Sequence, residues 1–483
     1  MNNIIEYLFS SCKKEPTRLF CVDDKIQYTY ENALEKIESI ACFFYDKNIQ
    51  NMPIMFKAER NCDSLLTLLG ILLSNNYFVP INPQYSDDKI SSIISSSNIQ
   101  YAVCFGENMK NGLTNFSFSE ITSYKAKSET IDTLSKNFNQ DNFIYTIYTS
   151  GSTGVPKGVI KTHKNVIAFV QNFLQTFKIQ NNLKIANQSP LFFDASMKDV
   201  FLTLATGGTI YFPDKSLFSV PLKLVEYLNN NEINFIIWVP SALTIVARLN
   251  TFKYILPKYL EYVMFVGETF LPKYLNMWLK NLPNITYVNL YGSTELAGVC
   301  LYKIVSKELK EDKPIPLGKP LANNTVELLD GEIVIKSDQI ATGYVNDEKK
   351  NCEVFLSLDG QKMLKTGDFG YINESGDFVF MSRKDYQIKH LGYRIELQEI
   401  DVSISKLKYI SNCAVVFDKQ NDKIVAFVSL CESLQNPTKT IISDLKTYMP
   451  TYMIPNKVIV LDELPLNANG KIDRTKLNLM IGE

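Results

Sequence analysis

Histidine is almost absent from this chain: among 483 residues there are two, His163 and His390. A Ser-His-Asp triad or a histidine-rich metal site is therefore not expected. The nine cysteines are scattered, odd in number and never spaced Cys-x-x-Cys, which points to reduced thiols rather than disulfides or structural zinc. Charge of one sign is also missing. Fifty Lys and Arg stand against 51 Asp and Glu, so no net field favours nucleic acid or an anionic membrane. No apolar run approaches the ~18 residues of a spanning helix. Met1-Asn-Asn-Ile-Ile-Glu-Tyr7 lacks a basic n-region, so no signal peptide is expected and the cytoplasm is the expected compartment. Repeats and low-complexity linkers are missing too.

What remains is an ordinary globular composition, 46% hydrophobic and 21% charged, at a length that suits two to four domains. Phe143–Tyr148, Phe235–Val239 and Tyr262–Val266 read as buried strands, and Pro221–Leu228 as an amphipathic helix with proline in its first turn. This alternation predicts α/β layers. Beyond about residue 315 the pattern turns to hairpins, at 327–335 and 376–380, and a compact α+β pattern follows from about 386. The charged stretch Ser382-Arg-Lys-Asp385 is the expected boundary.

The segment Tyr148-Thr-Ser-Gly-Ser-Thr-Gly-Val-Pro-Lys-Gly158 follows a predicted strand. Glycines at 151, 154 and 158 permit close backbone approach, successive N–H groups can cradle an anion, and Lys157 can neutralise phosphate. It is not a Walker loop, since no Gly-Lys-Ser/Thr is present. It resembles the phosphate loop of the adenylate-forming superfamily, which includes acyl-CoA synthetases, luciferases and the adenylation domains of non-ribosomal peptide synthetases. Thr149, Ser150, Gly151, Ser152, Thr153, Gly154 and Lys157 would then hold the ATP phosphates.

Other segments resemble the same family in the same order. Asn289-Leu-Tyr-Gly-Ser-Thr-Glu295 resembles its aromatic-Gly-x-Thr-Glu motif, with Ser293 where proline is frequent. The resemblance implies that Asn289, Tyr291, Gly292 and Ser293 contact the nucleotide, that Thr294 binds the α-phosphate, and that Glu295 ligates Mg²⁺, a hard cation suited to oxygen. Lys365-Thr-Gly-Asp368 would place Asp368 on the ribose hydroxyls, with Leu364 where the family usually has tyrosine. Arg383 and Asp385 resemble the hinge, Arg383 reaching ribose or phosphate and Asp385 absorbing a domain rotation. Phe380 stands where a nucleotide-binding tyrosine is common, and His390 is expected at the surface. Asn469-Gly-Lys-Ile-Asp-Arg474 resembles the C-terminal loop whose lysine, here Lys471, is catalytic. Softer matches lie at 77–83, 331–335 and 448–455, so the resemblance spans nearly the whole chain. The fold it implies is a large N-terminal domain over 1–384, of layered α/β subdomains plus a β-rich one, and a small mobile α+β domain over 385–483.

Phe193-Asp-Ala-Ser196 resembles the signature of amino-acid activators, in which the aspartate pairs with the substrate ammonium; the alternative for Asp194 is a helix N-cap. By motif spacing the pocket is lined by Asp194, Ala195, Lys198, Trp238, Met264, Val266, Leu290, Gly298 and Val299, which suits a neutral side chain of limited size. Lys198 either faces an acidic substrate or snorkels outward, and snorkelling is the expectation. Phe265-Val-Gly-Glu268 resembles D-alanine–carrier-protein ligases, although Val266 stands where those commonly carry cysteine. The expected reaction is amino-acid adenylation, then transfer to a phosphopantetheine thiol. No Gly-Gly-x-Ser motif follows Lys471, so the carrier protein is expected in trans. The chain itself is expected to be a monomer. The alternatives are an acyl- or aryl-CoA synthetase, or a D-alanine–carrier-protein ligase.

Overall fold

The computed structural model describes residues 1–110, 112–149, 156–179, 182–311, 313–358, 360–383, 387–466 and 472–481. Its chain forms two compact units, one of Met1–Pro83, Ser96–Ile147 and Gly158–Lys384, the other of Gln84–Ser95, Tyr148–Lys157 and Asp385–Glu483.

The first unit holds two large sheets with parallel cores. A seven-stranded sheet runs in the order Gly343–Tyr344, Lys157–Thr162, Phe143–Thr149, Tyr77–Ile81, Pro53–Lys57, Tyr101–Cys104 and Thr114–Ser117. A nine-stranded sheet carries Thr286–Tyr291, Tyr262–Val266, Phe235–Trp238 and Lys184–Ala186 side by side and parallel. These short runs are apolar on both faces because helices cover both, as a parallel sheet requires. The helices His163–Phe177 and Asp194–Thr206 pack into the larger core. Thr162 and Asn165 close the first of these in a reciprocal cap, and Gly207 ends the second in the left-handed region at φ 61°. Pro221 starts its helix at the first turn. A five-stranded antiparallel sheet follows. Thr325–Leu329 and Glu332–Lys336 form a hairpin across Asp330-Gly331, and the long strand Gln361–Ile372 pairs with Phe378–Arg383.

The second unit is α+β. Antiparallel Ile410–Asp418 and Lys423–Leu430, with Lys457–Val460 parallel to the latter, pack on the helices Leu397–Ser405 and Pro437–Tyr448. His390, expected at the surface, is instead buried. Its Nδ1 lies 3.2 Å from Asp422 Oδ1, and its ring stands edge-on to Phe417. Among the described residues no helix is long and apolar enough to cross a membrane.

Candidate active site

The helix Asp194–Thr206 begins at Asp194 itself. Phe193 is the N-cap residue, so Asp194 does not serve as the helix cap. Its carboxylate, 8% exposed, turns to the neighbouring sheet. There Tyr145 Oη donates to Asp194 Oδ1 at 2.8 Å, and Lys161 Nζ forms a short ion pair with the same oxygen. Both bonds fall on Oδ1, and Oδ2 takes none from a described residue. Lys161 is wholly buried; it also donates to the Leu296 carbonyl at 3.0 Å and lies 5.2 Å from the Tyr145 ring centroid. Burial pushes its ammonium below the usual lysine range, while Asp194, then Glu295, pull in the other direction.

Neither Lys161 nor Tyr145 was anticipated. In Lys157-Gly-Val-Ile-Lys-Thr162 the lysine reads as the solvent-facing member of an alternating strand. Its burial is offset by the carboxylate 33 positions away and by the Leu296 carbonyl.

A second group assembles around Asp368, which is buried. Tyr291 Oη donates to its Oδ2 at 2.5 Å, and Arg383 Nη1 to its Oδ1 at 2.5 Å. Register accounts for the meeting, since Asp368 pairs directly with Arg383 across the antiparallel strands. Gly367, at φ 71°, forms the bend before it. Burial, then Asp368, push the Tyr291 phenol well above its usual range. The tyrosine expected to contact the nucleotide is therefore also a donor to the expected ribose ligand. Phe380 is 37% exposed on the adjacent strand. Asn289 is buried and donates to the Pro316 carbonyl at 2.8 Å.

Glu295 is buried, and its Oε1 accepts from Tyr344 Oη at 2.8 Å. Beside it, Ser293 Oγ is buried with no partner among the described residues. A buried hydroxyl left in that state fits a ligand oxygen arriving from outside the chain. Glu295, Ser293 and Thr294 offer oxygen only: the carboxylate suits Mg²⁺, and the hydroxyls can donate to phosphate. Thr149 donates from Oγ1 to the Lys157 carbonyl at 3.5 Å. Residues 150–155 lie outside the described residues, as do Asp385 and Lys471.

The pocket candidates divide by strand parity. Met264, Val266 and Leu290 share one face of the nine-stranded sheet with Ile237, and Val299 joins the same core. Trp238 does not join them. It sits in register with Phe265, and both face the opposite core, where the indole Nε1 donates to the Ala186 carbonyl at 2.8 Å. On the face of Met264, Val266 and Leu290 the strand presents Ile237, not Trp238. Lys198 does not snorkel either: it is 3% exposed within its helix. Burial pushes the neighbouring Asp199 carboxyl up to about 7, against the opposing pull of the Asn187 hydrogen bond and then of the Lys198 charge.

The loop from Gly292 to Val299 is held tightly. A Cβ on Gly292 would meet the Gly298 carbonyl at 2.5 Å, and one on Gly298, at φ 72°, would meet the Phe169 ring at 2.2 Å. Gln339, fully buried, donates from Nε2 to the carbonyls of Ala297 and Val299 at 2.7 and 3.0 Å. Its Oε1 accepts from Asn172 and Asn324, so every polar position of the amide is used. Nothing in the sequence around Gln339 announces this.

The chain belongs to the AMP-binding enzyme family, whose profile matches residues 8–345, with the AMP-binding enzyme C-terminal domain over 399–471. Within that class, a D-alanine–D-alanyl carrier protein ligase of Listeria innocua is 32% identical over 459 residues, 88% of each chain. The ligase of that name from Lactococcus lactis is 30% identical over 98% of both. Among solved structures, the Vibrio cholerae adenylation domain AlmE, in complex with glycyl-adenosine-5'-phosphate, superposes with a TM-score of 0.84 at 17% identity, over 100% of this chain and 98% of that one. The o-succinylbenzoate CoA synthetase of Bacillus subtilis does so with 0.84 at 19%, over 98% of both. At such identities the likeness is one of fold.

Proposed function

We propose that this enzyme activates an amino acid with ATP, forming an aminoacyl-adenylate and pyrophosphate, and then passes the acyl group to the pantetheine thiol of a separate carrier protein. The observation that carries the reading is Asp194: a buried carboxylate whose Oδ2 takes no hydrogen bond from a described residue and can accept an α-ammonium. Met264, Val266 and Leu290 are apolar members of one buried core and suit a small neutral side chain, and the relatives named D-alanine–D-alanyl carrier protein ligases make D-alanine the first acid to test.

In the first half-reaction the substrate carboxylate attacks the α-phosphorus, and the bond to pyrophosphate breaks. A carboxylate is already ionised at neutral pH, so no general base is required. The work is positioning and charge neutralisation. Asp368, held by Tyr291 and Arg383, takes the ribose hydroxyls; Thr294 meets the α-phosphate; residues 149–157 hold the β- and γ-phosphates; Lys471 meets the charge that builds on the transferring group. Glu295 would hold Mg²⁺, which supplies neutralisation of phosphate charge. In the second half-reaction the carrier thiol attacks the mixed anhydride, loses its proton, and AMP leaves. The small domain over 385–483 turns about Asp385 between the two steps, and the enzyme acts as a cytoplasmic monomer.

One observation favours the rival acyl- or aryl-CoA synthetase: Asp194 already has an internal counter-ion in Lys161. ATP–pyrophosphate exchange across the twenty amino acids, D-alanine and a few aryl and short-chain acids decides between them. Response to an amino acid is expected. A profile that answers only to acids without an amino group would sink the reading.

A further inference from the structure

The Asp194 carboxylate does not stand alone in its pocket. Lys161 and Tyr145 hold one oxygen, Oδ1, from the seven-stranded sheet, and leave Oδ2 for whatever enters. Lys161 has no exposed surface, and Asp194 is the carboxylate it bonds directly. The two charges form an internally neutral pair at the point where a substrate ammonium would arrive.

This changes the arithmetic of selection. A pocket with a lone buried carboxylate rejects an acid lacking the ammonium severely, because the binding leaves a charge unpaired in a dry site. Here the carboxylate keeps its counter-ion whichever acid binds. The acid without an amino group forfeits one hydrogen bond on Oδ2 and no more.

We propose that Lys161 is a specificity-determining residue: by holding Asp194 Oδ1 in a neutral pair, it makes the pocket weakly selective for an α-amino acid over the corresponding acid without the amino group. The proposal rests on the amino-acid reading above, and takes that reading to a substrate class, small amino acids together with their desamino counterparts.

The experiment uses the full chain and ATP–pyrophosphate exchange with D-alanine and propionate. The ratio of their kcat/KM values is measured in wild type, Lys161→Leu and Lys161→Gln, with the KM for ATP and thermal unfolding alongside. The wild-type ratio is expected at roughly 10- to 100-fold, far below the roughly 10⁴-fold of sites that leave a polar group unpaired. Removing the ammonium should raise the ratio about 10-fold or more with the KM for ATP unchanged. A purely structural role would lower both substrates alike. Lys161→Gln keeps a hydrogen bond to Oδ1 without the charge, and it carries the test if Lys161→Leu fails to fold. A wild-type ratio above roughly 10⁴, or a ratio unmoved in the folded variant, overturns the proposal. A wild type that answers to no amino acid at all overturns the amino-acid reading itself, and this proposal with it.

Discussion

At the scale of single residues, the two buried carboxylates carry different consequences. Asp368 receives Tyr291 and Arg383 and sits where the ribose is proposed to bind. Asp368→Ala should lower kcat/KM for ATP by about 10²–10³-fold, the cost typical of one preorganised contact, as measured by pyrophosphate exchange. Asp194→Ala is a harsher change, because it strands the Lys161 ammonium inside the protein. Loss of one partner of a buried pair typically costs about 3–5 kcal/mol, so this variant should unfold at markedly lower temperature by calorimetry, and its lost activity cannot be credited to substrate recognition alone. The motif residues around Asp368 were legible because they recur at fixed offsets in one continuous segment each. Lys161 was not, because a lysine inside an alternating strand carries no local mark of burial. Its justification lies on another element.

At the scale of elements, legibility followed periodicity. The strands Phe143–Thr149, Phe235–Trp238 and Tyr262–Val266 and the helix at Pro221 were readable from apolar runs and a well-placed proline. The face each strand residue takes was not. Parallel strands covered on both sides are apolar at every position, so nothing in Phe235-Ile-Ile-Trp238 tells which pair shares the face of Met264 and Leu290, and there the strand presents Ile237 while Trp238 turns to the opposite core. The helix His163–Phe177 offers a test of its own. His163 is buried at its first position, where Nδ1 accepts from the Ile4 N–H at 3.3 Å, and burial holds its imidazole down at about 3, against 6.5 ordinarily. Between these values the unfolded chain binds a proton that the native one refuses. The stability tied to this histidine is therefore complete above about pH 6.5 and is lost on acidification towards pH 3, by at most about 1.4 kcal/mol per pH unit. Denaturant melts at pH 7 and pH 5 should show this loss in wild type and its absence in His163→Gln.

At the scale of the whole molecule, the sequence carried the membership of the family, whose two models match residues 8–345 and 399–471 in turn. It did not carry the grouping of residues 84–95 and 148–157 with the C-terminal segment, because such grouping depends on contacts remote in sequence. The proposed division of labour makes Lys471 specific to the first half-reaction. Lys471→Ala should slow adenylate formation by about 10²–10³-fold, while transfer from pre-formed aminoacyl-adenylate to a carrier thiol proceeds nearly as in wild type, as followed by thioester formation in single turnover.

The Gln339 amide has a consequence in time as well as in space. The segment between Tyr291 and Leu301 is a loop by shape, yet the Ala297 N–H donates to the Gln339 carbonyl, the Cys300 N–H to the Tyr291 carbonyl, and the Gln339 side chain fastens two carbonyls between them. Local opening would have to break these bonds together. Amide deuteration at Ala297 and Cys300 should therefore run at the slow pace of the neighbouring strands rather than at the fast pace of a surface turn, so that the segment carrying the proposed pocket residues Gly298 and Val299 keeps its shape through the lifetime of the fold.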